Sequence, residues 1–132
     1  MDELVKSIGN VDFEITFDCN LRCLHCYNKT HKVRNELSKE QIFYLIEQVK
    51  SLNFKEIHIN GGEPLRHKNI VEILKHCENN NLEILLETNA TLLDSKIISE
   101  ISLIKNLKIR ASIDGPEKIH NSIRRTSLFE NP

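Results

Sequence analysis

The chain has 132 residues, with 18 basic and 19 acidic side chains and a formal net charge of −1. Its 39% hydrophobic and 28% charged residues are typical of a globular domain, and its length is enough to bury a core. Charges of both signs are mixed along the chain, so we expect neither nucleic acid nor a membrane as partner. Residues 1–10 lack the apolar segment of a signal peptide, and a cytoplasmic protein is expected.

Four segments alternate apolar and polar residues in the way that is typical of β-strands. They are residues 11–17, 55–60, 82–87 and 107–113. In the first of them, Val11, Phe13, Ile15 and Phe17 are predicted to share the face that packs on the core. In the last, the same face is expected to carry Ile109 and Ile113, together with Leu107 and Ala111.

Each predicted strand is followed by apolar residues at helical spacing. Ser38 and Gln41 have the spacing of a capping box at the start of the first helix. The second helix is expected from Ile70, the third from about Asp94, and the fourth at Pro116, a residue suited to the first turn. Four successive strand–helix units predict a parallel α/β sheet with right-handed crossovers.

One face of the predicted sheet is polar, whereas parallel strands covered on both faces usually carry continuous apolar runs. The polar positions include Glu14, Glu56, His58, Glu83, Glu87, Lys108, Arg110 and Ser112. A curved sheet whose concave side holds a charged cofactor and substrate would explain them, and so would a sheet with one face open to water. The helices supply one covering layer, which favours the curved sheet.

Residues able to bind ligands follow all four strands. A cysteine loop follows the first, Gly61–Pro64 the second, Thr88–Asn89 the third and Ser112–Asp114 the fourth. The carboxyl ends of parallel strands meet at one edge, where α/β proteins bind their ligands. We therefore expect one site built from these four segments.

Cys19, Cys23 and Cys26 form a C-x3-C-x2-C motif, which indicates metal or redox chemistry. A structural zinc site needs four closed ligands, and the motif supplies three. A fourth could come from His25, His31 or Cys77, none at a familiar spacing. An iron–sulfur cluster held by three cysteines would instead keep one iron open to a cofactor or substrate.

The motifs resemble those of the radical S-adenosylmethionine (radical SAM) superfamily. The cysteine motif after the first strand, Gly61-Gly62-Glu63-Pro64 after the second and Ser112-Ile113-Asp114-Gly115 after the fourth carry this resemblance, which covers roughly residues 11–125. It implies a partial (β/α) barrel of TIM-like type with about four of six strand–helix units. On this resemblance, residues 1–132 are expected to be a single, truncated core domain.

The resemblance also implies the roles of individual residues. Cys19, Cys23 and Cys26 would ligate a [4Fe–4S] cluster, whose open iron would be chelated by S-adenosyl-L-methionine. The residues implied in binding that cofactor are Gly61, Gly62, Glu63, Pro64, Asn89, Ser112 and Asp114. The glycines would allow close approach of the backbone to the methionine amino group. Glu63 is expected either to contact the ligand or to be a carboxylate at the entry to a helix.

The implied reaction is reductive cleavage of S-adenosylmethionine to a 5′-deoxyadenosyl radical that abstracts hydrogen from a substrate. A flavodoxin or ferredoxin would supply the electron. The segment from Ser112 to Arg124 is most similar to the branch that modifies peptides or proteins, so a peptide or small-molecule substrate is expected. Two alternatives stay open: a catalytically incompetent fragment that only binds the cluster, and a zinc-stabilised binding module.

Several residues carry narrower expectations. Ala90 stands where the superfamily often has glycine, which disfavours a left-handed turn there. Asp18 is expected to cap or orient the cysteine loop, and Cys77 to be a core thiol. Arg124 and Arg125 are expected to be a solvated pair, although the resemblance implies that a basic residue after the fourth strand can have a role. Structural rather than catalytic roles are expected for His58, His67, His76 and His120.

Overall fold

The computed structural model describes residues 9–28 and 36–126. Residues 1–8 and His31, which figure in the expectations above, lie outside this part. The described strands form a four-stranded parallel sheet in the order β1-β2-β3-β4. The strands are β1 Asn10–Thr16, β2 Glu56–Gly61, β3 Glu83–Thr88 and β4 Leu107–Ala111. The helices are α1 Lys39–Ser51, α2 Ile70–Asn79, α3 Ser95–Ile101 and α4 Glu117–Arg124, with a short 3-10 helix at Pro64–Arg66.

The helix starts follow from local side-chain chemistry. The Ser38 hydroxyl accepts from the Gln41 backbone N–H at 3.3 Å, and the Gln41 side chain accepts from the Ser38 N–H at 2.9 Å. The predicted capping box is therefore confirmed. Asp94 caps α3 by accepting from the Ile97 N–H at 2.8 Å. Pro116 is the residue directly before α4, one position earlier than predicted.

The core lies between one face of the sheet and the helices. Residues with 0% exposure include Ile46, Ile57, Ile59, Ile73, Leu74, Cys77, Leu82 and Leu86. Each large aliphatic side chain buried in this way contributes about 1.5–3 kcal/mol relative to an exposed one. Cys77 is part of this core, where burial raises the pKa of its thiol to about 12, so the predicted core thiol is confirmed.

The prediction that Phe17, Ile109 and Ile113 face the core is wrong. Phe17 is 46% exposed because the register of β1 against β2 shifts between Glu14 and Thr16, and β1 ends at Thr16. Ile109 and Ile113 are 45% and 62% exposed, because β4 has a partner strand on one side only within the described sheet. An alternating pattern predicts which side chains share a face, but what covers that face depends on neighbouring elements.

The other face of the sheet is polar, as predicted, and its side chains are bonded to one another. His58 lies 3.1 Å from Asp12 through Nδ1 and 3.0 Å from Glu56 through Nε2. Arg110 donates to Glu87 on the neighbouring strand at 2.7 Å. Leu85, which is 8% exposed, interrupts the polar positions of β3. No helix in the described part of the chain is long and apolar enough to cross a membrane.

Ala90 adopts a left-handed backbone with φ of 64°, which contradicts the expectation that it avoids this conformation. The turn is held from both sides, because the Ala90 N–H donates to Thr88 Oγ1 at 3.0 Å and its carbonyl accepts from Leu93. The bonds of the turn outweigh the backbone strain, which amounts to about 1–2 kcal/mol for a residue with a Cβ.

Ala90→Gly is expected to stabilise the protein by about 0.5–1 kcal/mol, since relief of the left-handed strain exceeds the added entropy of the unfolded chain. The measurement is urea-induced unfolding. The chain's other alanine, Ala111, lies in β4, and Ala111→Gly serves as the control with an expected loss of about 0.5–1 kcal/mol. Equal losses in both variants would contradict this account of the turn.

Candidate functional site

A cavity of about 370 Å³ opens at the carboxyl ends of the four strands. Its lining consists of Cys19, Leu21, Cys23, His25, Cys26, Tyr27, Asn60, Gly61, Gly62, Glu87, Thr88, Asn89, Ser112 and Arg124. All four predicted strand-end segments contribute to it. Of the predicted site residues, Glu63, Pro64 and Asp114 are not part of the lining.

The three cysteines of the motif are free thiols on the wall of this cavity. Partial burial raises the pKa of the Cys19 and Cys23 thiols, and for Cys23 the nearby Arg124 cation opposes that effect. Because each cysteine of a [4Fe–4S] cluster binds a different iron, the thiols must share a cavity without meeting at one point. The donor set and its placement therefore fit such a cluster.

The residues considered as a fourth zinc ligand do not complete such a site. Cys77 is in the core, and His25 Nε2 lies 3.5 Å from Asp114. His31 is outside the described residues. Among the residues described, no three His, Cys, Asp or Glu side chains converge as a single metal ion requires.

The cysteine loop is fixed to the end of β2 by backbone contacts. The N–H groups of Gly62 and Glu63 donate to the carbonyls of Thr16 and Asp18, each at 2.7 Å. A Cβ on Gly62 would lie 2.2 Å from the Asp18 oxygen, and one on Gly61, whose φ is 131°, would lie 2.3 Å from that of Thr16. The close packing of the β2 end on the backbone of residues 16–18 therefore requires glycine at both positions, whether or not a ligand also does.

Asp18 orients the loop, as predicted. Its carboxylate is paired with Arg66 of the 3-10 helix, and its N–H donates to Thr16 Oγ1 at 3.1 Å. The pair ties the residue before Cys19 to the segment that follows Gly62. Thus the loop is anchored through both side chain and backbone.

Glu63 is fully buried and is not part of the cavity lining. It does cap the 3-10 helix, because Oε1 accepts from the Leu65 N–H at 3.1 Å. The same oxygen accepts from the Thr88 hydroxyl at 2.7 Å, and Oε2 accepts from the Asn89 N–H at 2.8 Å. Burial raises the pKa of this carboxyl, and the three donors act in the opposite direction.

Arg124 lines the cavity, which contradicts the expectation of a solvated pair with Arg125. Its side chain is 12% exposed, and its guanidinium donates to Asp114 through Nε at 2.7 Å and Nη2 at 3.3 Å. Arg125, by contrast, is exposed at the end of α4 with a left-handed φ of 53°. The sequence held one signal, because Arg124 lies four residues after the buried His120 and hence on the same helical face.

The other histidines have structural contacts, as predicted. The buried His67 accepts from the Asn69 N–H at 3.2 Å, and His76 stacks on Phe43 with ring centroids 3.9 Å apart. His120 Nδ1 accepts from the Asp114 N–H at 3.3 Å. His58 belongs to the bonded polar face of the sheet.

A family model described as the Radical SAM superfamily matches residues 13–131. The chain belongs to the radical SAM superfamily. It is 34% identical over 122 residues to the uncharacterized protein MJ0907 of Methanocaldococcus jannaschii, covering 86% of this chain and 41% of that protein. It is 31% identical over 117 residues to the AdoMet-dependent heme synthase of Methanosarcina barkeri, covering 86% and 34%. The chain thus spans less than half the length of these two relatives.

Solved structures show the same fold. Streptococcus suis SuiB bound to S-adenosylmethionine superposes with a TM-score of 0.84 at 21% identity, covering 91% of this chain and 28% of SuiB. SuiB bound to its precursor peptide SuiA superposes with a TM-score of 0.82. The predicted α/β fold, a partial barrel of the radical SAM type, is confirmed.

Gly62→Ala is expected to destabilise the protein by about 1–3 kcal/mol, because the added Cβ overlaps the Asp18 carbonyl and the cysteine loop must move. Thermal and urea unfolding of the metal-free protein measure this loss. Gly9→Ala is the matched control, since a Cβ there meets no atom within 4 Å. Similar stabilities for the two variants would show that the loop accommodates the methyl group.

Asp114→Asn is expected to cost about 1 kcal/mol at neutral pH, because it removes the charged partner of a largely buried guanidinium. The bond from Arg124 lowers the pKa of Asp114. The contribution is therefore complete above the aspartate pKa of the unfolded chain, about 3.9, and is lost as the pH falls towards the lower native value. Urea unfolding at pH 7 and pH 3 should show a difference between wild type and variant that shrinks at pH 3.

Proposed function

We propose that this chain holds a [4Fe–4S] cluster through Cys19, Cys23 and Cys26 and binds S-adenosyl-L-methionine beside it. The observation that carries the proposal is the placement of three free thiols in one cavity with the ends of β2, β3 and β4. When bound, the cluster supplies the electron that cleaves the cofactor to methionine and a 5′-deoxyadenosyl radical, which abstracts hydrogen from a substrate.

The chain's own residues bind and orient in this proposal. Gly61 and Gly62 present bare backbone to the cavity, where the methionine amino group would find carbonyl acceptors. Ser112 and Asn89 supply hydroxyl and amide groups for the ribose or carboxylate. Arg124 adds a positive charge suited to that carboxylate, and Asp114 acts by holding Arg124 in place.

Substrate and partners belong to the same proposal. We assign a peptide or protein substrate from the likeness of the Ser112–Arg124 segment to the peptide-modifying branch, and SuiB, whose fold this chain shares, binds a precursor peptide. A flavodoxin or ferredoxin would deliver the electron, and a cytoplasmic location would keep the three thiols reduced. We propose neither nucleic acid nor a membrane as a partner.

The test is anaerobic reconstitution with iron and sulfide. Wild type is expected to bind about four iron and four sulfide ions per chain, and replacement of Cys19, Cys23 and Cys26 by Ala is expected to abolish binding. Cys77→Ala, a change in the core, is the control that should still load. Dithionite and S-adenosylmethionine should then yield 5′-deoxyadenosine.

The outcomes separate the alternatives. A loaded cluster that yields no 5′-deoxyadenosine would contradict the enzymatic part and favour a chain that only binds the cluster. One zinc per chain with no sulfide would overturn the whole proposal in favour of a zinc-stabilised module.

A further inference from the structure

We infer that Glu63 positions Asn89 so that the Asn89 side-chain amide donates a hydrogen bond to Cys19, and that this bond raises the reduction potential of the cluster. The inference rests on the proposed function, since it concerns the cluster assigned above. It gives a role to the carboxylate of Glu63, which is buried and does not line the cavity.

The orientation of the Asn89 amide is fixed by its partners. Oδ1 accepts from both the N–H and the hydroxyl of Thr91, at 3.0 and 2.7 Å. The NH₂ group must therefore point the other way, where it donates to Asn20 Oδ1 at 3.0 Å and lies 3.9 Å from Cys19 Sγ. Asn89 is 6% exposed, so water competes little for these bonds.

The sulfur of Cys19 faces more than one N–H donor. It also accepts from the Leu21 N–H at 3.4 Å. The Cys23 and Cys26 thiols, in contrast, lie 4.0 and 3.5 Å from the carbonyl oxygens of Arg124 and Asn28. Among these contacts of the described residues, Cys19 is therefore the ligand whose sulfur faces two N–H donors, the Asn89 amide and the Leu21 backbone.

Glu63 fixes the backbone from which Asn89 extends. Its carboxylate accepts from the Asn89 N–H and from the hydroxyl of the preceding Thr88, which in turn accepts from the Ala90 N–H. Three consecutive residues of the turn are therefore tied to one buried group. The partners of the Glu63 oxygens in the described part of the chain are all donors, so an amide at this position would leave at least one of them without an acceptor.

An N–H group aimed at a ligating sulfur stabilises the more electron-rich reduced state of an iron–sulfur cluster. Loss of the Asn89 donor should therefore shift the reduction potential to more negative values. A simple charge effect predicts the opposite sign for Glu63→Gln, because removal of a nearby negative charge favours reduction. The direction in which Glu63→Gln shifts the reduction potential therefore distinguishes a positioning role of Glu63 from a simple effect of its charge.

The experiment measures the midpoint potential of the reconstituted full chain without S-adenosylmethionine, by titration followed with electron paramagnetic resonance. Asn89→Leu, which removes the donor at similar volume and charge, and Glu63→Gln are both expected to shift the potential to more negative values. Glu87→Gln is the charge control, since Glu87 lines the cavity and pairs with Arg110 rather than with the turn. It is expected to shift the potential upwards or not at all.

An unchanged or raised potential in Asn89→Leu would overturn the inference while leaving the proposed function intact. A raised potential in Glu63→Gln would overturn the positioning role of Glu63. Failure of wild type to load a cluster would instead overturn the proposed function and the inference with it. If Glu63→Gln does not fold, Asn89→Leu alone decides, and a loss of stability without a shift in potential counts against the inference.

Discussion

The ends of β1 and β2 lie so close together that no side chain fits between them. The carbonyls of Thr16 and Asp18 occupy the space that Cβ atoms on Gly61 and Gly62 would need, and they accept the N–H groups of Gly62 and Glu63. This approach sets where the cysteine loop begins relative to β2. The positions of the three thiols relative to the loops after β3 and β4 follow from it.

A second constraint is electrostatic. Glu63 follows the two glycines directly and is carried into the interior, where an unpaired carboxylate would be costly. Two of its three donors, the Thr88 hydroxyl and the Asn89 N–H, come from the end of β3 and the residue after it. Burial of Glu63 therefore links the end of β2 to the end of β3, two segments that are distant in sequence. Asp114 and Arg124 join the end of β4 to α4 in a similar way. Charge pairing and backbone packing together give the cavity its shape.

Much of this could be predicted from local sequence. The capping box at Ser38 and the alternation around Ile57 depend on neighbours within a few residues, and the structure agrees with both. The four strand-end segments meet at one edge of the sheet because the strands are parallel. The errors arise where local segments meet distant ones. The left-handed Ala90 is imposed by a turn whose Thr88 hydroxyl is held by the distant Glu63, and Arg124 pairs with Asp114 across the start of α4. Such effects depend on packing that composition and periodicity do not encode.

The contact between the first and last parts of the site has a consequence for biosynthesis. The Leu24 N–H donates to the carbonyl of Ile123 at 2.9 Å, and Cys23 lies against Arg124, 101 positions later in the chain. At roughly 5–20 residues per second, a ribosome needs about 5–20 seconds to add that many residues. During this interval the cysteine loop exists without the helix that closes its far side. The contacts that close this side of the cysteine loop therefore form late in synthesis, long after the loop itself has been made.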